Sequence, residues 1–202
     1  QFIAPSNIIH HDLAKELEVQ CIGRLKSHLW EQITVPKYLK GRGHPLLINL
    51  CNTAPLNYPN KVVVLHDIAF KLFPDNYSLF FRSYYSYLIP KILHSAKKII
   101  TVSNFSKEEI NKHFHVDKNK IEVIYNAVGK VFSPVKKNNC EKYILGVSSL
   151  SNQKNFICLI QAFSKLNKKN VKLYIVGEKN SNLNNSLSKR IEESPDIIFK
   201  GR

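Results

Sequence analysis

A histidine and an aspartate stand together at the end of an apolar stretch. Residues 62–65 read Val-Val-Val-Leu, and His66 and Asp67 follow directly. Such a run is typical of a parallel strand covered on both faces, and ligands of open α/β sheets bind where such strands end. An imidazole there can donate to a sugar hydroxyl or a phosphate oxygen, and Asp67 can orient it or cap the next segment. A strand-end histidine satisfied by backbone groups is the alternative.

A second polar turn lies between a predicted strand and a predicted helix. Ser103 and Asn104 follow the strand expected over residues 98–102, and a capping box is predicted at Ser106 and Glu109. The N–H groups and the dipole of a helix N-terminus can hold an anion. Simple capping of the helix by these side chains is the alternative.

The third polar turn precedes the predicted helix 155–166. Ser149 lies in this turn and Lys154 lies beside the expected helix start, where a lysine can neutralise a diphosphate. It can equally be one surface lysine among many. The chain contains neither GxGxxG nor GxxxxGK[ST], so the signatures of dinucleotide binding and P-loop hydrolysis are missing.

The other reactive residues lack the spacing of a metal or hydrolase site. The two histidine pairs, at 10–11 and 113–115, have no carboxylate or cysteine cluster beside them, and the four cysteines form no CxxC pair. No G-x-S-x-G elbow is present. We therefore expect no metal and no cofactor. Cys51 and Cys158 lie in apolar runs, which predicts reduced, buried thiols and a cytoplasmic location.

The chain is strongly basic, with a formal charge of +15 and a pI of about 9.7. This balance fits polyanionic partners: phosphorylated substrates, an anionic membrane surface or nucleic acid. A solvated, lysine-rich surface is the plain alternative. Because no RNP, KH or zinc-finger signature is present, we do not expect nucleic acid, although a basic α/β nucleic-acid-binding module remains an alternative.

Strands and helices are predicted to alternate through the chain. The apolar runs predict strands, and the wider apolar periodicities predict helices. Strands are expected at 18–22, 46–51, 61–65, 98–102, 121–125, 143–147, 171–176 and 197–200, and helices at 28–39, 77–96, 106–114, 155–166 and 183–193. This is an α/β pattern of doubly wound parallel sheets.

The alternation is interrupted once, which predicts two domains. Residues 129–142 are polar and contain Pro134, as expected of a linker. We therefore predict domains at 1–128 and 143–202, the second incomplete. The chain begins at Gln1 and contains no Met, so we expect it to be a piece of a longer one.

The predicted helix 77–96 carries six Tyr and Phe residues in its first eleven positions. Such a helix can lie at a membrane interface. Ordinary core packing is the alternative, and Pro90 is expected to kink the helix.

Taken together, these segments resemble the retaining glycosyltransferases of family four, which have the GT-B fold of two Rossmann-like domains. The resemblance rests on HDIAFKLFP, AKKIITVSNFSKEEI, KIEVIYNAVGKVFSP, YILGVSSLSNQKNF and VKLYIVG, in that order. The segments HLWEQITVPKYL and CNTAPL further resemble enzymes that build bacterial surface polysaccharides such as O-antigen.

The resemblance implies roles for individual residues. His66, with Asp67, would lie near the transferred sugar, and Ser103, Asn104 and Asn52 would line the acceptor side of the cleft. Lys154 would bind the donor diphosphate, with Ser149 in place of a basic residue that the family often has. Asn126 would be the hinge between the domains. The family's paired glutamates would lie beyond Arg202, and its first strand before Gln1.

The implied activity is transfer of a hexose or N-acetylhexosamine from a nucleotide diphosphate sugar, with retention and without a metal. The expected acceptor is a lipid-diphosphate-linked saccharide, and the expected location is the cytoplasmic face of the cell membrane. A non-catalytic GT-B scaffold is a further alternative.

Overall fold

The computed structural model describes residues 1–129, 131–133, 141–150, 154–166, 170–178 and 194–201. The chain forms two compact units, Gln1–Val128 and Gly129–Arg202. The predicted helix 183–193 and most of the predicted linker lie outside the described residues.

The N-terminal unit contains a parallel four-stranded sheet. Its strands are β3 (Leu47–Asn49), β4 (Lys61–Val64), β5 (Lys98–Thr101) and β6 (Ile121–Val123), paired in chain order. Two short parallel strands, β1 (Ile3–Ala4) and β2 (Gln20–Cys21), pair separately. All these strands fall inside or close to the apolar runs that predicted them, except that β2 is shorter and β1 was not predicted.

One face of this sheet is packed by two long helices, α5 (Leu79–Ser95) and α6 (Asn104–Phe114). Central strand residues and the inward residues of both helices form one buried cluster. The strand members include Val63, Ile99 and Ile121, and the helical members include Leu88, Ile89, Ile92, Leu93, Ile110 and Phe114. Burying each such side chain stabilises the fold by about 1.5–3 kcal/mol, so this cluster holds the strands in register.

The aromatic helix α5 packs against the core along only part of its length. Its second half supplies core residues, and Pro90 lies inside it without ending it. The rings of Phe81 and Tyr85 stack at 4.0 Å in the first half. Leu79 and Phe80, however, are 76% and 82% exposed. The first turn of α5 therefore presents large apolar side chains to solvent.

The helix α6 begins earlier than predicted because its cap is a different residue. The backbone N–H of Ser106 donates to the Ser103 hydroxyl at 3.0 Å, which makes Ser103 the N-cap. Ser106 itself lies inside the helix and is buried. The capping box predicted at Ser106 and Glu109 is therefore wrong, since Ser103 satisfies the first turn.

Seven shorter helical segments complete the N-terminal unit in the described residues, two of them single 3-10 turns at Pro74–Asn76 and Lys118–Lys120. The predicted helix 28–39 is built from α2 (Ser27–Leu29), a π-helical turn (Trp30–Thr34) and α3 (Val35–Lys40). The helices α1 (His11–Glu16) and α4 (Ala69–Leu72) are short. Together with Tyr58, Val35 and Leu39 form a small core beside the main one.

The C-terminal unit contains a parallel three-stranded sheet and one described α-helix. Its strands β7 (Lys142–Val147), β8 (Val171–Val176) and β9 (Ile197–Gly201) pair in chain order. The helix α7 (Phe156–Ser164) packs Phe156 and Ile160 against Leu173 and Ile175. These strands agree with the predicted ones.

The prediction of buried thiols is wrong for both cysteines, because Cys51 and Cys158 are exposed. Cys51 lies beyond the last residue of β3. Cys158 is two positions from both Phe156 and Ile160, which places it on the opposite side of α7 from the buried face. An apolar neighbourhood in sequence does not determine which side of a helix a residue occupies.

In the described ranges, none of the helices is both long and apolar enough for a membrane crossing.

We expect Gly177→Ala to destabilise the C-terminal unit by at least about 2 kcal/mol. A Cβ on Gly177 would lie 1.8 Å from the Ser148 carbonyl oxygen. The backbone cannot easily move apart at this point, because both segments are hydrogen-bonded in the sheet. The Ser148 N–H donates to the Val176 carbonyl, and the Gly177 N–H donates to the Gly201 carbonyl. Faster hydrogen exchange of the β7 and β8 amides would report the loss. Gly129→Ala, whose Cβ would have its nearest contact at 4.0 Å, is the control. Equal exchange in the two variants would contradict the prediction.

Candidate functional site

The carboxyl edge of the four-stranded sheet brings together polar residues from three predicted segments. β3 ends shortly before Asn52, β4 before His66, and β5 before Ser103. Because neighbouring strands pair in parallel, with Val64 opposite Ile100, their ends lie at the same edge. The Thr101 hydroxyl lies 3.5 Å from the His66 carbonyl oxygen. The sheet therefore places His66 beside the start of the Ser103 turn.

His66 is held by the loop that follows β3. Its backbone N–H donates to the Asn52 side-chain oxygen at 3.0 Å, and its Nε2 lies 3.1 Å from the Leu50 carbonyl oxygen. Since a carbonyl oxygen only accepts, this contact favours the tautomer with the proton on Nε2. In the neutral ring Nδ1 is then the acceptor. The imidazole is half-buried, so it remains accessible at the edge.

Asp67 makes the second of its two predicted contacts. Its Oδ1 accepts a hydrogen bond from the Ala69 N–H at 2.9 Å, at the start of α4. A short carboxylate that binds a backbone N–H two residues ahead stabilises a local turn. Asp67 thus sets the direction in which the chain leaves β4, and its side chain is exposed.

Ser103 and Asn104 open helix α6 at the same edge. The Ser103 hydroxyl accepts from the Ser106 N–H, and the two serine hydroxyl oxygens lie 3.1 Å apart. The Asn104 amide donates to the Tyr125 hydroxyl at 3.1 Å. Asn126, the predicted hinge, is the exposed residue after Tyr125 and follows strand β6. Ser103 therefore caps helix α6, as the alternative interpretation has it, while Asn104 contacts the segment that follows β6.

A half-buried carboxylate, Glu31, lies close to this edge and was not singled out from the sequence. It belongs to the π-helical turn, and it accepts hydrogen bonds from Thr53 at 2.8 Å and from Gln32 at 2.9 Å. Burial raises the pKa of the Glu31 carboxyl, although these hydrogen bonds oppose the shift. The nearby His28 ring lies 5.1 Å from that of Tyr84. The signal available in the sequence was a Glu-Gln pair inside an apolar helical stretch.

Lys61 was also missed, because it was read only as the first residue of a strand. It is fully buried, and its ammonium donates to the Pro55 carbonyl at 2.6 Å and to the Ser95 hydroxyl at 2.9 Å. Burial lowers the pKa of Lys61 to about 8, and the charge of Glu31 opposes this shift. Its position at the amino end of β4 makes it a structural group.

The C-terminal unit presents a second strand-end edge with its own polar turn. Beyond β7 and β8 the backbone pairing continues, since Ser148 N–H donates to Val176 and Leu150 N–H donates to Glu178. Ser149 is exposed between these two contacts, and Lys154 is exposed two residues before α7. Residues 151–153 lie outside the described part, so the structure gives the ends of this turn and not its path.

No group of three or more His, Cys, Asp or Glu side chains that could hold a metal ion occurs among the residues with a described position.

The chain is similar to known glycosyltransferases in sequence. Residues 40–129 match the family described as Glycosyltransferase Family 4. Over 110 residues the chain is 35% identical to the O-antigen chain mannosyltransferase RfbU of Salmonella typhimurium. That match covers 54% of this chain and 30% of the relative, so the chain spans less than a third of this relative's length.

Solved structures show the same fold. HepE of Anabaena in complex with UDP and glucose has a TM-score of 0.60 at 18% identity, over 95% of this chain and 58% of that one. WaaG, a glycosyltransferase involved in lipopolysaccharide biosynthesis, has a TM-score of 0.59 at 15% identity, over 91% and 57%. The predicted resemblance to family-four glycosyltransferases is confirmed. The predicted α/β fold of the GT-B type is also confirmed.

Proposed function

We propose that the full-length protein containing this chain is a retaining glycosyltransferase of bacterial surface-polysaccharide synthesis. It would move a hexose or N-acetylhexosamine from a nucleotide diphosphate sugar, with UDP as the nucleotide, to a lipid-diphosphate-linked saccharide of the O-antigen type. One observation carries the proposal: the sheet edge that holds His66 lies inside the segment that matches Glycosyltransferase Family 4. The mannosyltransferase relative supports a hexose, and the UDP complex of HepE supports the nucleotide.

The C-terminal unit would bind the diphosphate of the donor. Lys154 is an exposed ammonium close to the strand-end edge, and Ser149 offers a hydroxyl and a backbone N–H in the same turn. Negative charge develops on the leaving diphosphate during transfer, and fixed donors aimed at that charge lower the barrier. The chain's own residues would thus supply charge stabilisation, and the proposal needs no metal.

The N-terminal unit would present His66 to the sugar being transferred. With Nε2 on the Leu50 carbonyl oxygen, the ring is oriented before substrate arrives, and its Nδ1 can accept from a sugar hydroxyl. The family resemblance implies front-face attack by the acceptor without a protein nucleophile. Ser103, Asn104 and Asn52 would line the acceptor side of the same edge.

The acceptor would be reached at the inner face of the cell membrane. The exposed apolar residues Leu79 and Phe80 begin α5, and the chain carries a formal charge of +15. Apolar contact and attraction to anionic lipids together determine the strength of peripheral binding. No observation in the structure favours nucleic acid or a non-catalytic scaffold over this function.

For the donor site, we expect Lys154→Ala in the full-length protein to weaken UDP binding by about tenfold or more. The lost charge-assisted hydrogen bond corresponds to about 1.5–3 kcal/mol. Calorimetric titration with UDP measures the dissociation constant. Lys165→Ala, an exposed lysine just after α7, is the matched control and should leave it unchanged. Binding by the Lys154 variant within twofold of wild type would remove this residue from the donor site.

For the sugar site, we expect His66→Ala to lower kcat by at least about tenfold, the factor that about 1.4 kcal/mol represents. The thermal midpoint should hardly change, since a half-buried strand-end residue is not part of the core. Transfer of labelled sugar and a melting curve provide the two measurements. The control is His94→Ala, an exposed histidine in the last turn of α5. Activity of the His66 variant within twofold of wild type would exclude the assigned role.

For the membrane contact, we expect salt-sensitive binding to vesicles that contain anionic lipid. Replacing both Leu79 and Phe80 by serine should weaken that binding by about tenfold or more, because two exposed apolar side chains are lost. Phe105→Ser, an exposed aromatic on α6, is the control. Equal binding to neutral vesicles would argue against the electrostatic part of this contact.

A further inference from the structure

The loop between β3 and β4 is held residue by residue from one side. Thr53 donates its hydroxyl hydrogen to Glu31, and the Ala54 carbonyl accepts from the Gln32 amide at 2.9 Å. The Leu56 N–H donates to the Gln32 side-chain oxygen, also at 2.9 Å. Two adjacent side chains of the π-helical turn thus make three hydrogen bonds to a loop more than twenty residues away. We call Glu31 and Gln32 the loop clamp.

The same loop makes the two polar contacts that orient His66. Asn52, directly before Thr53, accepts the His66 backbone N–H, and the carbonyl of Leu50 contacts its Nε2. Asn52 has a φ of 36°, in the left-handed region that residues other than glycine seldom adopt. Such a conformation persists only where the surroundings determine it. The next residue, Thr53, is buried and is held by the clamp.

The backbone of the clamp is π-helical, which bears on how its two side chains reach the loop. A π-helical turn contains one extra residue relative to an α-helix, and such turns occur often at functional sites. In this chain the turn spans Trp30–Thr34, and the Trp30 indole donates to the Ile22 carbonyl at 2.7 Å. The extra residue shifts the side chains that follow Leu29. Both members of the clamp then reach the loop, although they are adjacent in sequence.

Burying a charged carboxylate in this position costs desolvation free energy. Burial raises the pKa of Glu31, which means that its surroundings disfavour the charged form. Each carboxylate oxygen accepts one described hydrogen bond, from Gln32 and from Thr53. The strong acceptor therefore fixes both the second clamp residue and the loop hydroxyl.

From these contacts the geometry assigns Glu31 and Gln32 as positioning residues for His66, acting through Thr53 and the loop of residues 50–56. This inference rests on the proposed function, because a role for His66 in sugar transfer gives its orientation a consequence. Neither clamp residue needs to touch substrate. Loss of the clamp should release the loop, allow the Nε2 contact to break and leave the sheet intact.

The first test measures the histidine and the loop directly, in the full-length protein with 15N-labelled histidine. In Glu31→Ala, the His66 ring nitrogens should shift from the Nε2–H tautomer toward a mixture, and the amides of residues 52–54 and of Leu56 should exchange at least about tenfold faster. Glu31→Gln, which keeps an oxygen for the Thr53 hydroxyl, should restore most of both signals. Glu16→Ala, an exposed glutamate of the same unit, is the control. Unchanged His66 signals and loop exchange in Glu31→Ala would overturn the inference.

The second test uses turnover to show that Glu31 acts through Thr53. Glu31→Ala should lower kcat about tenfold or more while the KM values of donor and acceptor stay within about threefold. Thr53→Val removes the hydroxyl with little change of shape, and it should have a similar effect. If the two residues act as one unit, the double variant is no slower than Glu31→Ala alone. The assignment would be overturned if the fold-losses of kcat in the two single variants multiplied fully in the double variant. It would also be overturned if Glu31→Ala changed only the KM of the acceptor.

The two tests separate this inference from the proposed function. Should the wild-type protein transfer no sugar, the proposed function fails, while the nitrogen shifts and the amide exchange still decide whether the clamp orients His66.

Discussion

Parallel pairing of β3, β4, β5 and β6 is the constraint on which the N-terminal site depends. It makes the chain leave the sheet at the same edge after each strand, so residues far apart in sequence meet there. The pairing is maintained by the apolar cluster beneath it, to which α5 and α6 contribute. His66, Asn52 and Ser103 owe their proximity to this register, since a shift by one residue would exchange the faces of a strand.

Polar groups that contact the loop between β3 and β4 are stabilised by partners from other segments. Lys61 lies fully buried with two oxygen acceptors, and Glu31 lies half-buried with two donors. Unpaired, each would carry a large desolvation penalty, so these bonds make the conformation of the β3–β4 loop specific as well as stable. Electrostatic attraction between Glu31 and Lys61 adds to this, since the charge of Glu31 raises the pKa of the ammonium that burial lowers.

The segment that matches the family contains the N-terminal site residues proposed above. The family match covers residues 40–129, which include His66 and the whole four-stranded sheet. The C-terminal unit contributes Ser149 and Lys154 at a second edge of the same kind, beyond the matched segment. Polar residues thus follow strand ends in both units, and under the proposed function each unit would recognise one of the two substrates.

The sequence by itself determined the strands of the two larger sheets, the long helices and the residues at the strand ends, because apolar runs and their period are local properties of the chain. His66 and Ser103 could be placed at a sheet edge in this way. The tautomer of His66, the capping by Ser103 and the exposure of Cys158 were decided only by the tertiary structure. Each depends on a partner or a face that local periodicity does not encode. The Glu31–Thr53 contact is the clearest case, since it joins residues 22 positions apart whose pairing local periodicity does not indicate.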